Sequence, residues 1–270
     1  MNKILIYAIL ILCFSPNLST FYAQSNPGSR QIALAHSDIA LSDDVFSLFN
    51  NPSGLANIKN REIGIYYSPS PFGLKQLANG FLAYTEPTTL GSFNIGASVY
   101  GFDLYNENKL LIGYSFALDE KIAFGFVGHY NSVKIKGYGS SGTLNLSLGC
   151  LFKLYADLNI GFSLHNPVRN SKSKIELPLI YSLGISYILF KSSSLNLALE
   201  KEINYPISFR FGVEHNISKY FDLRLGIMNE PNIYGAGIGI NYFIFSLNYS
   251  ITSHPILNLT HQFDVIIHFK

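Results

Sequence analysis

The sequence has little charge, no tryptophan, only two cysteines and no long apolar run after its first residues. Only 13% of its 270 residues are charged, against about 25% in an average globular domain, so an ordinary soluble surface is not predicted. After residue 23 no apolar run reaches the roughly 18 residues that a transmembrane helix needs, which excludes a helical membrane protein. The formal net charge of +2 and the scattered Lys and Arg residues exclude nucleic acid as a natural partner.

Residues 1–23 are typical of a secretory signal peptide. Lys3 precedes an apolar stretch, and Ala23 is the small residue at the expected cleavage site. Cys13 would be removed with this segment, and a lipoprotein signal is disfavoured because Leu12, before the cysteine, is not small. Cys150 is then left without a partner for an internal disulfide, so the exported protein must be stabilised in another way.

Gly, Tyr and Phe are abundant instead, with 22, 18 and 21 residues, a composition that favours β-structure. From residue 61 onward apolar and polar residues alternate, as where Leu144, Leu146 and Leu148 lie on one face and Asn145 and Ser147 on the other. The alternation predicts about fourteen strands, at 61–68, 77–85, 92–101, 108–118, 121–134, 142–155, 157–165, 179–190, 194–202, 206–215, 220–228, 233–243, 244–252 and 258–269.

The strands have the length and the two faces of a transmembrane barrel. Most are long enough to cross a bilayer at a tilt, and short connections alternate with longer polar ones. The polar face is rich in Gly, Ser and Asn, small residues that suit a crowded barrel lumen. The alternative folds are a soluble β-sandwich and a secreted β-solenoid, but their solvent-exposed faces are usually richer in charged residues. Tyrosines near strand ends are expected to form interfacial girdles, namely Tyr66, Tyr67, Tyr84, Tyr100, Tyr130, Tyr155, Tyr187, Tyr220, Tyr242 and Tyr249.

The predicted fold class is therefore all-β: a transmembrane antiparallel β-barrel of residues 61–270, in a bacterial outer membrane with both termini in the periplasm. Residues 24–60 do not alternate and are expected to form a short helical plug. Ser42 as N-cap, followed by Asp43 and Asp44, predicts a helix start, and Pro52 predicts its end.

The plug also carries the residues that resemble a known family. The stretch from Gly28 to Asp44, followed by Asn51-Pro52-Ser53-Gly54-Leu55-Ala56, resembles the N-terminal hatch of FadL-like outer-membrane proteins, and most closely the PorV/PorQ type of Bacteroidota. The segments 206–212, 222–226 and 249–269 are similar to that group as well. Two departures are Ser53, where an Ala is usual, and an extra Asn before the Asn-Pro pair.

The resemblance implies one of two functions. PorV-type relatives serve type IX protein secretion, so the chain is expected to be a non-enzymatic accessory subunit of a secretion or outer-membrane assembly complex, with other outer-membrane proteins and membrane lipids as partners. The alternative is a FadL-like channel for passive uptake of hydrophobic small molecules. The short loops favour the accessory role, and a secreted adhesive sandwich is a third class.

Six charged residues are predicted to face the lumen, where a charge is costly unless it is paired. We expect them either to hold the barrel to Asp43 and Asp44 of the plug or to line a gated polar path. No metal, cofactor or catalytic set is expected: Ser147, His129 and His165 point inward, and His254 and His261 are the only histidines predicted to approach each other. The six are Glu200, Arg210, Glu214, Asp222, Arg224 and Asp264.

Overall fold

The computed structural model describes residues 26–168, 175 and 177–269, so the predicted signal peptide, residues 1–23, lies outside the described residues. Fourteen strands occupy most of this chain, at the positions that the alternation predicts to within a few residues. They are β1 (Arg61–Ser68), β2 (Asn79–Thr88), β3 (Gly91–Phe102), β4 (Tyr105–Ala117), β5 (Ile122–Ile135), β6 (Gly139–Tyr155), β7 (Leu158–His165), β8 (Ile180–Leu189), β9 (Ser193–Glu202), β10 (Ser208–Ser218), β11 (Phe221–Asn229), β12 (Asn232–Tyr242), β13 (Phe245–Thr252) and β14 (Thr260–Phe269).

The strands form one closed antiparallel barrel. Each pairs with its neighbours in sequence, and β1 closes the ring by pairing with β14, from Arg61 opposite Phe269 to Tyr67 opposite Phe263. Closure leaves no sheet edge with unpaired backbone groups, which is the condition for a strand structure in lipid. The predicted transmembrane barrel is confirmed as a fold.

Side chains alternate between an apolar exterior and a small or polar interior. On β11, Leu223 and Leu225 are 42% and 64% exposed, whereas Asp222 and Arg224, which alternate with them, are buried. Two of the predicted girdle residues are on the wrong side: Tyr66 and Tyr100 point into the lumen and are buried. Both tyrosines occupy positions of the alternating pattern that face inward, and this orientation decides their location although they lie near strand ends.

The two ends of the barrel differ in their connections. At one end, called the short-turn end, the turns are 89–90, 118–121, 156–157, 190–192, 219–220 and 243–244; the start of β1 and the end of β14 lie there too. At the opposite, long-loop end the connections include 69–78, 166–179 and 253–259, and the first contains two 3₁₀ turns, Pro71–Gly73 and Lys75–Leu77. No helix in the described residues is both long and apolar enough to cross a membrane.

The described N-terminal segment, residues 26–60, lies inside the lumen and is called the plug. It contains the helix α1 (Ser29–Ala33) and three 3₁₀ helices, Asp38–Ala40, Val45–Leu48 and Pro52–Asn57. The predicted helix start at Ser42 is wrong by two residues, because Asp44 is the N-cap: its carboxylate accepts from the backbone N–H of Phe46 at 2.9 Å. The Ser42 hydroxyl instead donates to the carbonyl of Asp38.

Glycines on the barrel wall allow the plug backbone to touch the strands directly. A Cβ added at Gly125 would lie 2.2 Å from the carbonyl carbon of Pro52, and one at Gly161 would lie 2.3 Å from the carbonyl oxygen of Ile39. Side chains at these positions would therefore displace the plug. The glycine belt comprises the inward glycines whose added Cβ would lie less than 3 Å from a plug atom: Gly64, Gly96, Gly125, Gly149, Gly161, Gly184, Gly212, Gly226, Gly235 and Gly237.

Candidate functional site: plug, ion network and lumen cavity

Arg30 on α1 is the centre of the contact between plug and wall. Its guanidinium makes a two-point contact with Glu214 on β10, with Nε to Oε2 at 2.7 Å and Nη2 to Oε1 at 2.8 Å. It also forms ion pairs with Asp43 and Asp44 of the plug. A planar guanidinium is suited to such bidentate contacts. Arg30 thus joins the two predicted plug acids to a predicted lumen acid.

Arg224 on β11 extends this network along the wall. Its Nε donates to Glu214 Oε2 at 2.6 Å, its Nη2 to Asp222 at 3.0 Å, and its Nη1 to Asn248 Oδ1 at 2.7 Å. Asn248 in turn donates to Asp264, and the second oxygen of Asp264 accepts from the backbone N–H at the start of α1. Four of the six predicted lumen charges are therefore brought together with the plug.

The other two predicted lumen charges form a separate pair. Arg210 on β10 donates to Glu200 on β9, and neither makes an ion pair with Asp43 or Asp44 among the described residues. The expected bridge from a barrel cation to the plug acids is thus made by Arg30 of the plug itself. Sequence reasoning missed Arg30, although it is the only Lys or Arg between residues 26 and 58, a segment with three aspartates.

The hatch motif residues hold the plug's second half. Asn51 caps the 3₁₀ helix Pro52–Asn57, and its amide donates to the carbonyl of Ile39 at 2.8 Å. The carbonyl of Pro52 accepts from Ser115 on β4 at 2.7 Å. Gly54 allows a close crossing of two plug segments, since an added Cβ would lie 2.1 Å from the carbonyl oxygen of Ser42.

The pKa values of Asp38 and His36, two buried plug residues, are strongly shifted. Burial, reinforced by the Asp44 charge, raises the pKa of Asp38 to about 7. Burial, and then the Arg210 charge, lowers the pKa of His36 to about 3, so this imidazole is neutral at physiological pH.

A hydrogen-bond chain connects the lumen wall to the plug. His165 Nε2 donates to the carbonyl of Asn50 at 2.8 Å, because a carbonyl can only accept. In the neutral ring Nδ1 then accepts from the Ser147 hydroxyl at 2.9 Å. Ser147 Oγ faces His129 Nε2 at 3.4 Å, and His129 Nδ1 accepts from the Asn131 amide at 2.7 Å. The predicted inward placement of Ser147, His129 and His165 is confirmed.

The other two histidines singled out in the sequence, His254 and His261, each have contacts with different residues. His254 Nδ1 accepts from the backbone N–H groups of Ile256 and Leu257 within its own loop. His261 Nδ1 lies 2.7 Å from the hydroxyl of Tyr249, and the two rings stack. Among the described residues no group of three or more His, Cys, Asp or Glu is arranged to hold a metal ion.

A cavity of about 550 Å³ lies between the plug and the long-loop end. Ile32 and His36 of the plug form part of its floor. Its lining is mixed, with an apolar group (Ile32, Phe72, Val133, Ile180, Met228 and Ile233), a charged group (Glu107, Lys109, Glu200, Glu202, Arg210 and Glu230) and several amides (Asn79, Asn131, Asn166 and Gln262). This volume is within the range of small-molecule sites.

The chain is similar in structure to several solved outer-membrane barrels. They include the CymD monoaromatic hydrocarbon channel (10% identity, TM-score 0.73, 90% of this chain and 98% of that one). They also include a FadL homologue of Pseudomonas aeruginosa (12% identity, TM-score 0.65, 92% and 99%) and the Pseudomonas putida toluene transporter TodX (11% identity, TM-score 0.63, 91% and 98%). At such identities the likeness shows a shared fold, the FadL-like fourteen-stranded barrel, and does not extend to the PorV/PorQ type. No family model matches the sequence, and no curated protein does.

Proposed function

We propose that the protein is an outer-membrane channel for passive movement of small, largely apolar molecules, with the lumen cavity as its binding chamber. The observation that carries this proposal is the cavity itself, which is bounded by the barrel wall and floored by the plug. The three barrels of similar fold are described as a hydrocarbon channel, a FadL homologue and a toluene transporter, which supports passage of small molecules over catalysis.

The position of the plug sets the condition for passage. Within the described strands every neighbouring pair is hydrogen-bonded around the ring, with register shifts at Asn216/Ser218 and Lys153/Tyr155, near the short-turn end, so the wall itself is closed. A molecule that leaves the cavity toward the short-turn end must therefore pass the plug, and the contacts of Arg30 with Glu214 are among those that must yield. Both chain ends of the barrel lie at the short-turn end, which we place in the periplasm.

The test is uptake of the hydrophobic dye N-phenylnaphthylamine by bacterial cells that produce the protein. We expect faster uptake than in cells without it, and slower uptake for Val133→Trp, which narrows the cavity at its wall. The matched control is Leu110→Trp on the neighbouring strand, because Leu110 faces outward and is 59% exposed. Uptake equal to that of cells without the protein would overturn the proposal.

A second candidate function is an accessory subunit of a secretion or outer-membrane assembly complex, with other outer-membrane proteins as partners. The observation that favours it is the contact between plug and glycine belt, which fills the lumen at that level, as in a scaffold. Affinity purification of the tagged protein from native membranes tests it. Reproducible co-purification of another outer-membrane protein would support this role, and recovery of the chain alone would count against it.

A further inference from the structure

We propose that Lys109, Ser98 and Asn131 form a binding subsite for an anionic group on the wall of the cavity, so that the chamber takes compact organic carboxylates. The proposal rests on the proposed channel function and names its substrate class. It differs from the neutral hydrocarbons named for the similar barrels, which carry no negative charge to pair with a cation.

Lys109 is a lumen cation that has no counter-ion in the part of the chain that the structure describes. It lies on the inward face of β4, lines the cavity and is partly buried. No described carboxylate lies within ion-pair distance of it, whereas Arg30, Arg210 and Arg224 are all paired. The acid two residues away, Glu107, accepts from the hydroxyl of Tyr105. A partly buried cation without a partner is costly, and a bound anion would remove that cost.

Ser98 is the second unsatisfied group at the same place. It is opposite Lys109 on β3 in the strand register, so the two Cβ atoms are about 5 Å apart. The Ser98 side chain is only 2% exposed, and its hydroxyl has no hydrogen-bond partner. Buried hydroxyls in native proteins nearly always have one. An anion held by Lys109 would accept this hydrogen bond.

Asn131 is opposite Lys109 on the other side, on β5, and also lines the cavity. One of its amide hydrogens is directed at His129, which fixes the side chain, and the other is available to a ligand. The hydrogen-bond chain through His129, Ser147 and His165 connects this amide to the plug. Asn131 is therefore a positioned donor beside the cation.

Most carboxylates of the cavity lie too far around the ring to pair with Lys109 or to repel an anion bound there. Glu230 follows β11, which is seven strands from β4 in either direction around the ring and hence on the opposite wall. Glu202 is on β9, and Glu200 on the same strand is neutralised by Arg210. Glu107, whose carboxylate accepts from the Tyr105 hydroxyl, is the described carboxylate on the same wall of the cavity as Lys109. The other acids lie elsewhere around the ring, so a compact carboxylate fits on the Lys109 side.

The test compares binding of benzoate and of its neutral analogue benzamide to the purified full chain in detergent, by titration calorimetry. We expect the wild type to prefer benzoate. Lys109→Met should weaken benzoate about ten- to hundredfold, the range for one hydrogen bond to a charged group, and leave benzamide unchanged. Ser98→Ala should weaken benzoate about tenfold. Lys109→Arg should keep the preference, and Lys134→Met, at the exposed end of β5, should change neither ligand.

The outcomes separate the subsite from the channel. If the wild type binds both ligands equally and Lys109→Met changes neither, the subsite is wrong and the channel proposal stands. If the wild type binds neither ligand, the subsite is wrong as well, and the uptake of N-phenylnaphthylamine decides the channel proposal separately. Gel mobility of unheated samples shows whether each variant keeps the folded barrel, and Lys109→Arg provides the test if Lys109→Met does not fold.

Discussion

The bidentate contact between Arg30 and Glu214 predicts a large coupling energy between plug and wall. Glu214 accepts three charge-assisted hydrogen bonds, two from Arg30 and one from Arg224, at 2.6 to 2.8 Å. The Arg30 and Glu214 side chains are only 15% and 9% exposed, so solvent screens them weakly. With Arg30→Met, Glu214 keeps Arg224, which limits the loss. Two bonds to charged groups then give a coupling free energy of about 3 kcal/mol, roughly a hundredfold change in the unfolding equilibrium.

The assay is a double-mutant cycle of Arg30→Met and Glu214→Gln, with urea unfolding in lipid vesicles followed by circular dichroism. The matched control cycle uses Arg61→Met and Glu86→Gln, an ion pair on the exterior near the short-turn end with Arg61 62% exposed, for which we expect no measurable coupling. A coupling for Arg30 and Glu214 below about 0.5 kcal/mol would place this buried pair in the range of surface pairs and refute the reasoning.

Three further predictions concern the plug. Gly125→Val should destabilise the barrel by several kcal/mol, since its Cβ would overlap the plug, whereas Gly128→Val on the same strand, with open space around it, should be nearly neutral; equal melting temperatures would contradict this. Because Asp38 binds a proton more tightly when folded, wild-type stability should fall as pH rises from about 4 to 7, and Asp38→Asn should remove that slope in melts at pH 5 and 8. Asn51→Ala loses the bond to Ile39 and a helix cap, so we expect about 1–2 kcal/mol of destabilisation and faster protease cleavage of the plug; an unchanged cleavage rate would argue against that anchor.

The strands could be predicted because the residue types along each strand depend on what each residue faces, lipid or lumen. Alternation at period two depends only on which side of the wall a residue faces, so residues such as Leu223 and Arg224 are assigned correctly without knowledge of their neighbours. Tyr66 shows the limit. A tyrosine near a strand end is typical of an interfacial girdle, but Tyr66 occupies an inward position of the alternating pattern. The orientation of the position, not the residue type, determines where its side chain lies.

The plug contacts could not be predicted in the same way, because they depend on depth in the lumen. Nothing in the sequence states that α1 lies level with Glu214 on β10, or that Arg210 lies level with the cavity instead. One feature of the sequence could have identified Arg30. The plug has one arginine and three aspartates, so Arg30 is the residue expected to form ion pairs with more than one of these acids. That Lys109 has no ion-pair partner among the described residues can be recognised only in the structure, after the partners of Arg30, Arg210 and Arg224 are known.

The glycine belt makes the position of the plug depend on closure of the barrel. The plug leads directly into β1, which must pair with the last strand, β14, to close the ring. The belt glycines lie on strands from β1 to β12, so the plug has its full set of wall contacts only when strands from all around the ring are in place. Closure of the seam and seating of the plug are therefore energetically coupled: a substitution that opened the pairing of β1 with β14 would loosen the plug without changing any plug residue.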